Sequence, residues 1–395
     1  MSEIRAAQAA DIAIIGGGGI GCSIAYFLTR LDGRLKVTVY ERDPSYAHAA
    51  TVLAAGGIRQ MFSTPENILM SQFGVSFLES ADVELEVKGD RPHMGFHAQS
   101  YLRLLDEPAR EAVGAQVELQ RRAGARPKWL ERDELAARFP WMMLDDVAFG
   151  VLGGGGEGVF DPYSLLQALR KKAIDQGARF VKAEVTGFER GKDGAIIGLH
   201  LEDGGREPCG IVINAAGAAA GRVAALAGVE LPIVPMKALT FAFRSQTQIA
   251  NFPITLDQVK HINIRSEGEL FLTGVPDGTD PAAPDDFDVN HSLFEEEVWP
   301  ALAHRVPAFE AIKVTAAWAG HIELNLFDYN PVLGPAPRCR NLVMAAGFSG
   351  HGAQHIPAAG RAVAELLLYG EYRSLDLTRF GYGRLLAGER VPEEV

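Results

Sequence analysis

The chain has 395 residues, enough for two domains, and its 47% hydrophobic and 22% charged residues exclude a disordered chain and allow a large core. Its net charge is −12, with no block of like charges, which argues against nucleic acid or an anionic membrane surface as the main partner. The three cysteines, Cys22, Cys209 and Cys339, match no CxxC or metal-ligand spacing and read as reduced thiols, so no metal is expected.

The N-terminal MSEIRAAQAAD has no basic region followed by an apolar core, so no secretory signal is expected and the protein reads as cytoplasmic. The next stretch, DIAIIGGGGIGCSIAYFLTR, reads as strand, glycine turn and helix. Its apolar run from Ile12 to Leu28 is broken by five glycines, too interrupted for a membrane span. Ile12 to Ile15 form a continuous apolar run, as in a buried parallel strand. Gly16, Gly18 and Gly21 follow in GxGxxG spacing, and Ile20, Ile24, Phe27, Leu28 and Leu31 share one helical face. A second strand, KVTVYE, ends in Glu41, 20 residues beyond Gly21. Strand, glycines, helix, strand and acid in this order indicate a dinucleotide site. Gly16 makes the tight turn, Gly18 admits the pyrophosphate, and Gly21 lets the helix pack closely. The helix N-terminus favours phosphate, and Glu41 can accept from ribose hydroxyls. This motif does not choose between NAD and FAD.

Residues 42–67, RDPSYAHAATVLAAGGIRQMFSTPEN, are rich in small side chains, which let backbone pass close to a large ring. Residues 151–170 give a glycine run and then Asp161-Pro162 opening a helix. IVINAAG at 211–217 reads as a buried strand ending in a glycine turn, and LTFAF and ELFLTG alternate as strands do. NLVMAAGF is a further strand, leading through the loop GFSGHGAQHIP into a helix with Ile356, Ala359, Val363, Leu366 and Leu367 on one face. A loop between a parallel strand and a helix is where open α/β sheets bind ligands. The final LAGERVPEEV reads as an exposed tail.

Taken together, IIGGGGIGCSIAYFL, YERD, TVLAAGGIRQMF, GVFDPYSLLQAL, VINAAGAAAGRVAAL, WAGHIELNLFDYNPVLGP and NLVMAAGFSGHGAQHIPAAGRAVAELL resemble the D-amino-acid oxidase/sarcosine oxidase (DAO) family of flavoproteins over nearly the whole chain. The resemblance implies an α/β (α+β overall) architecture: a Rossmann-like FAD domain of the glutathione-reductase type and a second, mixed-sheet substrate domain. The FAD domain would comprise residues 1–90, 148–230 and 325–380, the substrate domain 91–147 and 231–324, and the tail 381–395. It also implies oxidation of the C–N bond of a small amine or amino acid (a D-amino acid, an N-methyl amino acid or an opine-like compound), with hydride passing to flavin N5 and electrons going to oxygen or another carrier. Two alternatives stay open. One is a 2-hydroxy-acid dehydrogenase, with His351 or His261 as base. The other is a flavin-binding assembly protein without turnover, because TVLAAGGIRQMFSTPEN is most similar to a subgroup that includes a mitochondrial FAD protein of respiratory-complex assembly. Homo- or hetero-oligomers are compatible with either.

The cofactor contacts implied at the first turn are Gly16, Gly18, Ile20, Gly21, Glu41 and Arg42. The small-residue segment adds Thr51, Ala54, Gly56 and Gly57, and the middle of the chain Val185, Ala216 and Gly217. At the flavin end they are Gly320, Gly347, Gly350, His351, Gly352, Ala353 and Gln354. The family's usual carboxylate anchors are missing: Ile322 and Gln354 stand at the matching positions. Arg59 and Arg265 are therefore the candidates to hold an acidic substrate group, with Lys237 behind them. His351 is the candidate catalytic histidine, whereas His355 falls inside the helix and reads as structural. Gly320 and Leu53 occupy the family's places for covalent flavin links, so FAD should be non-covalent. Leu272 falls where a lysine activates oxygen in sarcosine oxidases, which favours a dehydrogenase over an oxidase.

Overall fold

The computed structural model describes residues 11–278 and 281–393. Two large sheets divide most of the described strands. In the first, six strands run in the order Val332–Ala336, Cys339–Ala346, Ile211–Asn214, Ile12–Ile15, Val37–Glu41 and Arg179–Lys182. All neighbours are parallel except the first pair. The four residues of Ile12–Ile15 are all buried, as a central parallel strand covered on both faces requires.

The helices Gly19–Leu31, Pro162–Asp175 and Gly352–Tyr369 pack on one face of this sheet. The opposite face is covered by a core that includes Val185, Ile196, Leu199 and Val223. The Gly352–Tyr369 helix starts six residues earlier than the AAGRAVAELLLYG pattern indicates, with His351 as its N-cap. It carries His355 and Pro357 within its first turns.

The second large sheet has eight strands, ordered Ile312–Asn325, Ile233–Ser245, Leu270–Pro276, Ile262–Glu267, Ile254–Asp257, Tyr101–Leu105, Phe149–Leu152 and Lys128–Glu131. It is mixed: Ile254–Asp257 runs parallel to Tyr101–Leu105 and the other pairs are antiparallel. Its aromatic core includes Phe241, Phe243, Phe271 and Phe309, all fully buried. The fold is thus an α/β unit with a second, mixed-sheet unit.

Two expected borders need correction. Phe149–Leu152 pairs with Tyr101–Leu105 and Lys128–Glu131 in the eight-stranded sheet, so this strand does not join the parallel sheet at residue 148. Its four residues, all buried, are too few and too apolar to declare their sheet from sequence alone. Nor is LAGERVPEEV exposed throughout its described part: residues 386–390 are exposed, but Val391 and Glu393 are buried, and the chain just before them is anchored. Arg384 is buried and donates to both oxygens of Asp328, at 2.7 and 3.0 Å. Glu393, also buried, accepts from the backbone N–H of Ser63 and Thr64 at 2.7 and 3.0 Å and from the Asn67 side-chain amide at 2.8 Å. A carboxylate with that many donors is worth burying, which holds the chain end against the start of the Pro65–Glu84 helix.

Candidate active site

The Ile12–Ile15 strand ends at Gly16, where φ is +97° and a Cβ would lie 2.4 Å from the Ala215 carbonyl oxygen; only glycine fits this turn. Gly18 is the extended N-cap of the Gly19–Leu31 helix and has no side chain of its own; there is no acid in the first turn, and the Gly19 N–H donates to the Thr51 hydroxyl at 3.1 Å. The positive end of that helix is therefore left for an anion. It faces a cleft of about 470 Å³. Gly16, Gly18, Ile20, Glu41 and Arg42 line it, as do Thr51, Val185, Ala216 and Gly217. Glu41 is already oriented: Oε2 accepts from the Gly17 N–H at 2.7 Å and Oε1 from the Asp43 N–H at 2.8 Å. Each oxygen keeps a second lone pair for a ligand hydroxyl. Gly21 is absent from the lining. A Cβ there would stand 1.9 Å from the Gly16 carbonyl oxygen, so its role is to let helix and turn touch.

A second cavity, of about 770 Å³, opens beside the eight-stranded sheet. The two share Ile20, Ala50, Thr51, His321 and Glu323 as walls, so they adjoin one another. Of the expected flavin contacts, Ala54, Gly320, Gly350, Gly352 and Ala353 line this second part, and Thr51 lines both. Arg59, Arg265, His261, Leu272 and Ile322 line it too. Arg265 and Leu272 are register partners on neighbouring strands. The Arg265 side chain is only 11% exposed; it pairs with Glu267, and its Nε is buried without a protein partner. Gly320 and Leu53 are in contact, since a Cβ at Gly320 would lie 3.2 Å from that of Leu53.

Several expected site residues stand behind the walls. Gly56 and Gly57 seat the chain, because a Cβ would meet the Phe160 carbonyl oxygen at 2.1 Å or the Tyr101 hydroxyl at 1.9 Å. Gln354 accepts from the Arg59 N–H at 2.8 Å. Gly347 donates its N–H to Glu323 at 2.9 Å. Lys237 is absent from the lining and is committed to Asp277 and Asp286, both at 2.9 Å. His355 sits against Ser71 and is structural; burial drives its pKa down to about 3.

His351 also needs correction as a catalytic group. It is 6% exposed, absent from the cavity lining, and packed edge-to-face on Phe62. Its Nε2 lies 3.0 Å from Nη2 of Arg59. A guanidinium only donates, so the histidine is neutral and accepts there. Burial, then the Arg59 charge, hold its pKa well below the ordinary histidine value. It is a positioning residue for Arg59, whose guanidinium also lies over the Phe62 ring at 4.9 Å.

Sequence reasoning missed four charged residues. Arg103 lines the cavity and donates to Gln116 and Gln258, both at 2.9 Å. Glu157 is buried beneath the 153–156 glycine run and accepts from the Gln60 and Tyr101 N–H groups at 3.0 and 3.2 Å; burial pushes its pKa up to about 7. Glu323 and Glu393 are wall residues. For Arg103 the available signal was a single charge inside an otherwise apolar strand, YLRLL; the three glutamates carried no comparable signal.

The site combines a nucleotide cleft and an adjoining cation-bearing cavity. Residues 11–366 match the model of the family described as DAO, FAD dependent oxidoreductase. The chain belongs to this family. It is 38% identical over 423 residues to FAD-dependent oxidoreductase domain-containing protein 1 of Xenopus laevis, covering 98% of this chain and 84% of that protein. It is 25% identical to the mitochondrial sarcosine dehydrogenase of Mus musculus, over 94% of this chain and 41% of that larger protein. Among solved structures, L-proline dehydrogenase from P. horikoshii superposes with a TM-score of 0.84 at 26% identity, over 96% of this chain and 99% of that one. FAD is accordingly the cofactor, and the helix end without an acid in its first turn and the glycine-lined cleft fit its pyrophosphate. No described helix is long and apolar enough to cross a membrane.

Proposed function

We propose that this FAD-dependent oxidoreductase oxidises the C–N bond of a small amine or amino acid bearing an acidic group. The observation that carries the reading is the cavity of about 770 Å³, which shares walls with the nucleotide cleft and is lined by Arg59 and Arg265. FAD supplies the two-electron acceptor: hydride leaves the carbon beside the substrate nitrogen, and the resulting imine is hydrolysed by water.

The chain's own residues bind and orient. Gly16, Gly18 and Glu41 hold the nucleotide end. Arg59, braced by His351 and Gln354, and Arg265 hold the acidic group of the substrate by charge-assisted hydrogen bonds. The apolar walls, with Leu272, Ile322 and Leu239, exclude water from the reacting carbon. No lysine lines the cavity among the described residues, which supports a dehydrogenase over an oxidase. Of the two candidate bases for the 2-hydroxy-acid reading, His351 is behind Arg59, whereas His261 lines the cavity and keeps that alternative open. The cavity likewise speaks against a role in assembly alone.

The test is an anaerobic flavin spectrum recorded with a panel of D-amino acids, N-methyl amino acids, opines and 2-hydroxy acids. Bleaching by an amine confirms the class, and reoxidation in air separates oxidase from dehydrogenase. Bleaching by 2-hydroxy acids alone, or by nothing in the panel, overturns the reading. Acid precipitation is expected to release all the flavin; a yellow pellet would refute non-covalent binding.

A further inference from the structure

Glu323 stands on the Ile312–Asn325 strand and is a wall of both cavities, at the point where they meet. Its Oε2 accepts from the Gly347 N–H at 2.9 Å. A Cβ on Gly352 would lie 3.4 Å from its Oε1. The carboxyl is thus wrapped by the 347–352 turn, the segment that leads into the Gly352–Tyr369 helix. No lysine or arginine forms an ion pair with it among the described residues, and its register partner on the neighbouring strand is Pro235. A carboxylate in such a place keeps its charge only at high cost. The two backbone donors, Gly347 and Phe348, do not offset the burial, and the pKa is pushed up to about 7.

This arrangement alters what the late turn offers a flavin. The Gly347 N–H is spent on Glu323 and is not free for a ligand.

Building on the FAD reading above, we propose that Glu323 is a proton-holding carboxyl that donates a hydrogen bond to the bound flavin and stabilises the charge the ring gains on reduction. The proton stays on Glu323, so no bond to it is broken. Reduction, by adding negative charge nearby, tightens that proton further.

Other ionisable groups around the junction are His321, bonded to the Asp286 carbonyl, and Lys237, paired with Asp277 and Asp286. His351 bears on Arg59, and Glu41 and Arg222 line the nucleotide side. Only Glu323 among them is both a wall of the two cavities and bonded to the turn.

The test is the flavin midpoint potential of the holoprotein, measured by dye equilibration from roughly pH 6 to 9, in wild type and Glu323→Gln. In the wild type, reduction should draw in an extra proton wherever oxidised-state Glu323 is ionised, so the potential should fall more steeply above neutral pH. Glu323→Gln keeps an N–H donor and cannot ionise, so its line should lack that extra slope. Equal slopes overturn the proposal. Should the glutamine variant fail to fold, a wild-type line without a break overturns it equally. With a break, Glu323→Asp must shift its position. Folded protein that binds no FAD would instead overturn the cofactor reading itself.

Discussion

The nucleotide cleft and the cavity proposed for substrate share walls but are built on different principles. The cleft is made mainly of backbone: a glycine turn with φ +97° at Gly16, a helix end with no acid in its first turn, and one carboxylate. These three lie within 30 residues of one another in sequence, although Val185, Ala216 and Gly217 complete the walls from farther along the chain. The cavity is made of side chains gathered from distant segments. Arg59 is held by His351 and Gln354, nearly 300 residues away, and Arg265 projects from another sheet. A backbone site fails when the chain cannot approach itself. A side-chain site fails one hydrogen bond at a time.

The largest expected effect therefore comes from the backbone side. Gly21→Val puts a side chain where even a Cβ would be 1.9 Å from the Gly16 carbonyl oxygen. Helix and turn must separate, at a cost of about 1–3 kcal/mol or more, and the purified variant should carry little flavin. Absorbance of flavin relative to protein reads this directly, and wild-type flavin content would show that the helix contact is dispensable.

On the side-chain side, Arg59→Ala and Arg265→Ala should each raise KM about 10- to 100-fold, the loss of a charged hydrogen bond worth about 1.5–3 kcal/mol. Flavin content should not change. If both variants keep wild-type substrate affinity, neither arginine holds the acidic group. Comparison with His351→Ala sharpens the point: a positioning residue should raise KM less than Arg59→Ala does, because the guanidinium remains.

This contrast also explains how far the sequence could be read. Ile12–Ile15, the glycines and Glu41 were legible because a parallel strand and a phosphate turn are local patterns. Fourteen expected cofactor residues away from that turn depended on resemblance. Of those, Thr51, Ala54, Gly320, Gly350, Gly352 and Ala353 line the cavity and Val185, Ala216 and Gly217 the cleft, whereas Gly56, Gly57, Gly347 and Gln354 serve the chain around them. Glu323, Arg103 and Glu157 were missed because their meaning lies in what is packed above them. A carboxyl in HIELN is an ordinary strand charge until the turn from residue 347 closes over it. Likewise, ERVPEEV looks like a solvated end until Glu393 meets Ser63, Thr64 and Asn67.

A smaller effect separates the two uses of flavin within the cavity. Leu272 lies beside Arg265 in the sheet and carries no charge. Leu272→Lys should quicken reoxidation of the reduced flavin by air by about tenfold, since a fixed cation stabilises charge developing on oxygen. Stopped-flow mixing with oxygenated buffer measures the rate. An unchanged rate would place the oxygen-reactive face elsewhere and remove one support for the dehydrogenase reading.

The smallest effect returns to the cleft. Glu41→Gln leaves one oxygen to accept, where the carboxylate now takes both the Gly17 and Asp43 N–H groups. A charge-assisted bond becomes neutral and a second is lost, yet the Gly16 turn and the helix end remain. The expected cost is about 1 kcal/mol, a rise of about fivefold in the FAD dissociation constant, measured by flavin fluorescence on titrating the apoprotein. A much larger loss would mean that Glu41, by tying the Gly17 N–H, sets the shape of the turn itself. The cleft would then depend on a single side chain as the cavity does.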